Sequence, residues 1–106
     1  MQIPLVTSTR LVELTPALDA DLRRRAAKLE RSFIRITSCR IAVERGSQHH
    51  QEGGPYRVRL DLTAPGSEVV ANKQGEDLNA VVRNAFQAAE RQVQELARRR
   101  SVRGEL

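Results

Sequence analysis

Two histidines, one cysteine and six serines are the side chains from which catalysis or metal binding would have to be built. His49 and His50 are adjacent, inside the loop-like stretch Gly46 to Pro55 (GSQHHQEGGP). A metal site needs a third ligand, and neighbouring residues in a Gly-rich loop seldom aim at one ion. Glu52 is close in sequence, but using it would strain the same loop, and the spacing matches no zinc pattern. This polar loop reads instead as a solvated segment available for contact. Cys39 is the lone cysteine, so no internal disulfide forms, and its apolar-alternating surroundings mark it as a small buried hydrophobe. None of Ser8, Ser32, Ser38, Ser47, Ser67 and Ser101 sits in a Gly-x-Ser-x-Gly context. Gly53-Gly54 precedes Pro55 and a strand pattern rather than a helix, so it is no phosphate loop. The expectation is a protein that is not an enzyme and holds no cofactor or metal.

The arginines carry more information. Eighteen basic residues face thirteen acidic ones for a formal net charge of +5, and all the basic residues but Lys28 and Lys73 are Arg. The guanidinium is a planar fork of donors that matches phosphate oxygens in pairs. At the helical period of about 100° per residue, Arg83, Gln87, Arg91, Gln94 and Arg98 fall on one line. That line ends in Arg98-Arg99-Arg100. Arg24, Lys28 and Arg31 share one flank of an earlier helical segment, with Arg23 on another. Such rows suit a phosphate backbone. They are also what any solvated helix shows, and Glu30 with Arg31, or Arg91 with Glu95, can pair locally for a few tenths of a kcal/mol. With one Tyr, two Phe and no Trp, base stacking on a single strand is disfavoured. Recognition of a folded RNA by shape and backbone is favoured.

Positioning these rows requires the following elements. Gln2 to Thr7 reads as a short strand, at an edge because Pro4 removes a ladder donor. Thr15-Pro16 is an N-cap followed by a first-turn proline. The helix it opens runs to Arg31, with Leu18, Leu22, Ala26, Leu29 and Phe33 as its apolar stripe. Ile34 to Arg45 and Tyr56 to Thr63 alternate with period two, and Glu68 to Lys73 follows an Ala64-to-Ser67 turn as a fourth strand. Glu76-Asp77 opens a second helix to Arg100, striped by Leu78, Val82, Ala85, Ala89, Val93 and Leu96 with Val81 and Phe86 at its borders. The fold class is α+β, a two-layer β-α-β-β-β-α sandwich with a four-stranded sheet and both helices on one face. Residues 1–106 are expected to form a single domain, with 101–106 a short polar tail. No stretch approaches a membrane span, so a cytoplasmic location is expected.

Several stretches together resemble the ribosome hibernation-promoting and ribosome-associated inhibitor family, also called sigma-54 modulation proteins. They are Leu14-Thr15-Pro16-Ala17-Leu18, Ala27-Lys28-Leu29-Glu30-Arg31, the run from Ile36 to Ile41, the run from Tyr56 to Thr63, Gly75-Glu76-Asp77-Leu78, Ala85-Phe86 and Glu90-Arg91-Gln92-Val93. The resemblance implies a fold similar in shape to double-stranded-RNA-binding domains. It also implies binding to the small ribosomal subunit and its ribosomal RNA, in the channel used by messenger and transfer RNA. Translation would be blocked sterically, as part of a bacterial stress response. Position by position it carries RNA contact to Lys28, Arg31, Arg83 and Arg91, with Arg98 to Arg100 as the basic helix end. Asn79 stands where the family often has an aromatic, and Gln87 and Gln94 where Lys is common. By length the chain resembles the short hibernation factors, expected to be monomeric off the ribosome. Two other readings stay open: a protein-interaction module using the sheet face with Arg57 and Arg59 and the Pro4 edge, and a general structured-RNA binder.

Overall fold

The elements follow as β1 (Leu5–Arg10), α1 (Pro16–Leu29), β2 (Ser38–Arg45), β3 (Tyr56–Ala64), β4 (Ser67–Gly75) and α2 (Leu78–Val102). This computed structural model describes residues 4–31, 34–46 and 54–102, residues 101 and 102 by their backbone alone. The strands form one sheet in the order β1-β2-β3-β4. The α1 crossover makes β1 and β2 parallel, with Leu5 opposite Cys39 and Thr9 opposite Val43. The β2–β3 and β3–β4 pairs are antiparallel. The β3–β4 connection is a two-residue turn, where Pro65 pre-sets the backbone and Gly66 takes a φ of 73°. That value is the positive φ demanded after Pro in a type II turn.

The core lies on one sheet face. Cys39, Ile41 and Val43 of β2, Val58, Leu60 and Leu62 of β3, and Val69 and Ala71 of β4 alternate inward and are buried. Over them pack Leu18, Leu22, Ala26 and Leu29 of α1 and Val81, Val82, Ala85, Phe86, Ala89, Val93 and Ala97 of α2. The two expected border residues, Val81 and Phe86, are inside, so the α2 stripe is wider than a single line. Leu78 and Leu96 close its ends half-buried. Phe33, expected to complete the α1 stripe, lies outside the described residues, as do His49 and His50.

Element ends differ from the sequence reading where tertiary pairing decides them. β1 is displaced to Leu5–Arg10, because the ladder with β2 holds Ser8, Thr9 and Arg10, which carry no apolar signal of their own. It is an edge strand, as expected, and Val6 on its outer side is 58% exposed. β2 begins only at Ser38. Ile34 and Ile36, which precede it, are buried, with the chain held nearby by the Thr37 amide donating to the Thr63 carbonyl at 2.7 Å. α1 closes at Leu29, where the amides of Glu30 and Arg31 donate to the carbonyls of Ala27 and Lys28 in a tightened last turn. β4 is longer than expected, Ser67–Gly75, and α2 is shifted by two residues to Leu78–Val102. Asp77 stays outside α2 as its cap: its carboxylate accepts from the Asn79 amide at 3.1 Å and its carbonyl from the Val81 amide at 2.9 Å.

Because β4 runs in the same direction as β1 and β2, both helices return in the same direction. They lie parallel, N-termini at one end of the sheet and C-termini at the other.

Leu11 links β1 to α1 with a φ of 59° and its side chain 68% exposed. A branched side chain in the left-handed region costs about 1–2 kcal/mol. Leu11→Asn should therefore raise stability by about 1 kcal/mol, seen as a higher urea midpoint at unchanged slope. Burial pushes the Cys39 thiol up to about 12 from 9.0. The native thiol should resist maleimide at neutral pH and react at the unfolding rate. The unfolded thiol ionises first, so this group leaves stability untouched below 9 and lowers it as the pH climbs from 9 towards 12.

Candidate nucleic-acid interface

Thr15 starts α1 as its sequence demands: the Oγ1 atom accepts the Leu18 amide at 3.1 Å. Pro16 fills the first helical position, where no amide is needed. Each helix then turns its apolar stripe to the sheet, and its polar side faces outward by default. Arg83, Gln87, Arg91, Gln94 and Arg98 are all exposed on α2. At 1.5 Å per residue the row extends over roughly 22 Å. Arg24, Lys28 and Arg31 are exposed on or just past α1.

The structure divides these cations into two groups. Arg23 pairs with Asp19 at 2.9 Å, Arg24 and Arg25 share Asp21, and Arg98 and Arg99 share Glu95. Lys28, Arg31, Arg83 and Arg91 make no ion pair with any described residue. The local pairing of Arg91 with Glu95 that the sequence allowed does not form. Glu95 turns instead to Arg98 and Arg99, which follow it along the helix, the orientation the helix dipole favours. Such exposed pairs contribute about 0–1 kcal/mol each, but they partly neutralise the cations they engage.

Arg100 is placed differently from its neighbours. Its Nη2 atom donates to the Pro65 carbonyl at 2.6 Å and to Ser67 Oγ at 3.0 Å. It fastens the end of α2 to the β3–β4 turn and lies half-buried there, away from the outward row. Gln92, which the sequence did not single out, donates from Nε2 to the Val70 carbonyl at 2.9 Å. It thereby occupies an acceptor on the outer edge of β4. The first helix brings Lys28 and Arg31 beside α2, across a groove that Glu90 and Gln94 also line. No spacing rule on a single helix identifies that neighbourhood.

The opposite sheet face is different in character. Arg57 lies 3.8 Å from Glu44, and Arg59 donates to Asp61 at 3.0 Å. That hydrogen bond, then the charge of Asp61, raises the Arg59 pKa above its ordinary value. Arg57 and Arg59 are thus paired on this face, whereas Lys28, Arg31, Arg83 and Arg91 on the helix face make no ion pair with any described residue. Among the described residues no three His, Cys, Asp or Glu side chains converge as a metal site would require. No helix among them is long and apolar enough to cross a membrane.

The model of the family described as sigma 54 modulation protein / S30EA ribosomal protein matches residues 5–101. The chain belongs to this family. Among curated proteins no sequence matches it significantly. Two similar solved structures are the N-terminal domain of Protein Y from Thermus thermophilus and a ribosomal subunit interface protein from Coxiella burnetii. The first is 22% identical, with a TM-score of 0.74, over 91% of this chain and 99% of the other. The second is 16% identical, with a TM-score of 0.71, over 89% and 97%. This member of the S30EA family thus shares their α+β fold over nearly all of its length.

The free and paired cations should behave differently toward RNA. Replacing Lys28, Arg31, Arg83 or Arg91 singly by Ala should lower the slope of log affinity against log salt by about one, measured by filter binding to ribosomal RNA. The same change at Arg23 or Arg98 should lower it by less, because each already has a carboxylate beside it.

Proposed function

We propose that this protein is a ribosome-associated translation inhibitor of the hibernation type, acting in the cytoplasm without catalysis or cofactor. It binds the RNA of the small ribosomal subunit near the decoding channel and excludes messenger and transfer RNA by occupying their space. The observation that carries this reading is the face of two parallel helices on which Lys28, Arg31, Arg83 and Arg91 stand exposed and make no ion pair with any described residue. Positive charge on long side chains, with little aromatic surface, matches a phosphate backbone presented by folded RNA. Membership of a family described as S30EA ribosomal protein supports the ribosome as the partner. So does the likeness to a protein called ribosomal subunit interface protein. Arg24, Gln87, Arg98 and Arg99 extend the proposed contact surface. Arg100 contributes by holding the end of α2 in place. The two Gln residues lengthen the row without adding charge, so backbone attraction on this face is concentrated in Lys28, Arg31, Arg83 and Arg91.

The alternative of docking through the sheet face is weakened by the pairing of Arg57 with Glu44 and Arg59 with Asp61. Those side chains already have partners.

The purified protein should co-sediment with small subunits at low salt, release steeply as salt rises, and inhibit translation in vitro. The triple change Arg83→Glu, Arg91→Glu, Arg98→Glu should keep the circular dichroism spectrum and abolish both activities, whereas Arg57→Ala with Arg59→Ala should preserve both. A folded triple variant that still inhibits would remove the helix face from the mechanism. Inhibition without ribosome occupancy would remove the steric mechanism.

A further inference from the structure

Between the C-terminal end of α1 and the middle of α2 lies a groove of about 250 Å3. Its floor is aliphatic: Leu29 from α1, Val93 and Ala97 from α2, all buried. Its rim carries Lys28 and Arg31 on one side, Glu90 and Gln94 on the other. The volume admits a single planar ring system and excludes a duplex. Glu90 is the unexpected member. It is exposed and forms no ion pair with any described residue, although Lys28 and Arg31 line the same groove. A carboxylate offers acceptors only and repels phosphate. On a surface that bound nothing but backbone it would weaken the contact.

A nucleobase resolves the conflict. Guanine alone among the four RNA bases presents two adjacent donors, N1–H and the N2 amino group, on its Watson–Crick edge. One carboxylate accepts both in parallel. Gln94 lies one turn further along the same helix face, and its amide supplies a donor and an acceptor. The flat guanidinium of Arg31 offers a stacking surface where no aromatic is present. Lys28 meets the attached phosphate. We propose that the groove between α1 and α2 receives one unpaired guanine of the bound RNA, with Glu90 reading its donor edge and Leu29, Val93 and Ala97 covering its ring. The base must be unpaired, because pairing occupies the edge that Glu90 reads. This rests on the proposed RNA-binding function and adds a point of sequence recognition to backbone contacts that have none.

The sign of one substitution separates the two views of Glu90. Glu90→Gln removes a negative charge from a phosphate-binding face. If Glu90 only repels, the variant binds small subunits more tightly. If Glu90 accepts the guanine donors, the variant binds more weakly by roughly tenfold, the scale of a lost bidentate base contact. Unchanged thermal melting confirms that the fold is not the cause. Equal or tighter binding by the variant overturns the guanine site and leaves the proposed function standing. If the wild-type protein does not bind subunits at all, the proposed function falls and the groove is judged by NMR titration. Guanosine 5′-monophosphate should then shift the Leu29, Val93 and Ala97 methyl signals. Adenosine 5′-monophosphate and ribose 5-phosphate should not. Equal shifts with all three probes, or none with the guanine nucleotide, overturn it.

Discussion

A core that is almost wholly aliphatic, with Phe86 its one buried ring among the described residues, can exclude water only if its layers come close together. Here that closeness comes from small side chains on α2. Ala85 and Ala89 are fully buried, and Val82 between them and Leu78 is as well. They let the helix backbone settle over β3 and β4, where Leu60 and Leu62 rise to meet it. On α1 the larger Leu22, fully buried, fills the space above the sheet instead. Interiors packed in this way transmit any change of volume to their neighbours. The position of each helix is therefore set by the core, and the position of every outward side chain is set with it.

Placing two helices parallel on one face has an electrostatic consequence. Their partial negative C-terminal ends lie at the same end of the sheet, and bases gather there: Lys28 and Arg31 at the end of α1, Arg98, Arg99 and Arg100 at the end of α2. Acids gather at the opposite ends, as Asp19 and Asp77 show. Each arrangement favours its own helix. Their sum is a positive surface that no single helix would provide. The repulsion this creates is eased by Glu95, which serves two arginines, and by the β3–β4 turn, which takes a third. The cations left over are those near the junction of the two helices and along the exposed line of α2.

Local signals in the sequence were read well where their causes are local. Thr15 and Pro16 start α1 because capping involves atoms three residues apart. The alternation in β2 and β3 shows directly which side chains turn inward, since the pleat reverses at every residue. β1 was harder. Its last residues, Ser8, Thr9 and Arg10, are strand only because β2 lies beside them. Ile34 and Ile36 posed the reverse problem: they alternate and are buried, but they precede β2, which begins at Ser38. Periodicity reports which side faces the core, not whether a neighbouring strand is present.

The sequence by itself determined the element order, the buried stripes and the identity of the outward-facing arginines. All of these follow from the period of one helix or one strand. Only the tertiary structure decided which of those side chains meet another element. Sequence spacing permitted Glu95 to pair with Arg91 as well as with Arg99. It did not foretell that Arg100 would reach the Pro65 carbonyl, thirty-five residues away in the chain. Nor did any pattern on α2 place Glu90 and Gln94 opposite Lys28 and Arg31. Periodicity belongs to a single element, whereas the Arg100 contact and the groove belong to two elements at once, and their relation is settled only when the core closes.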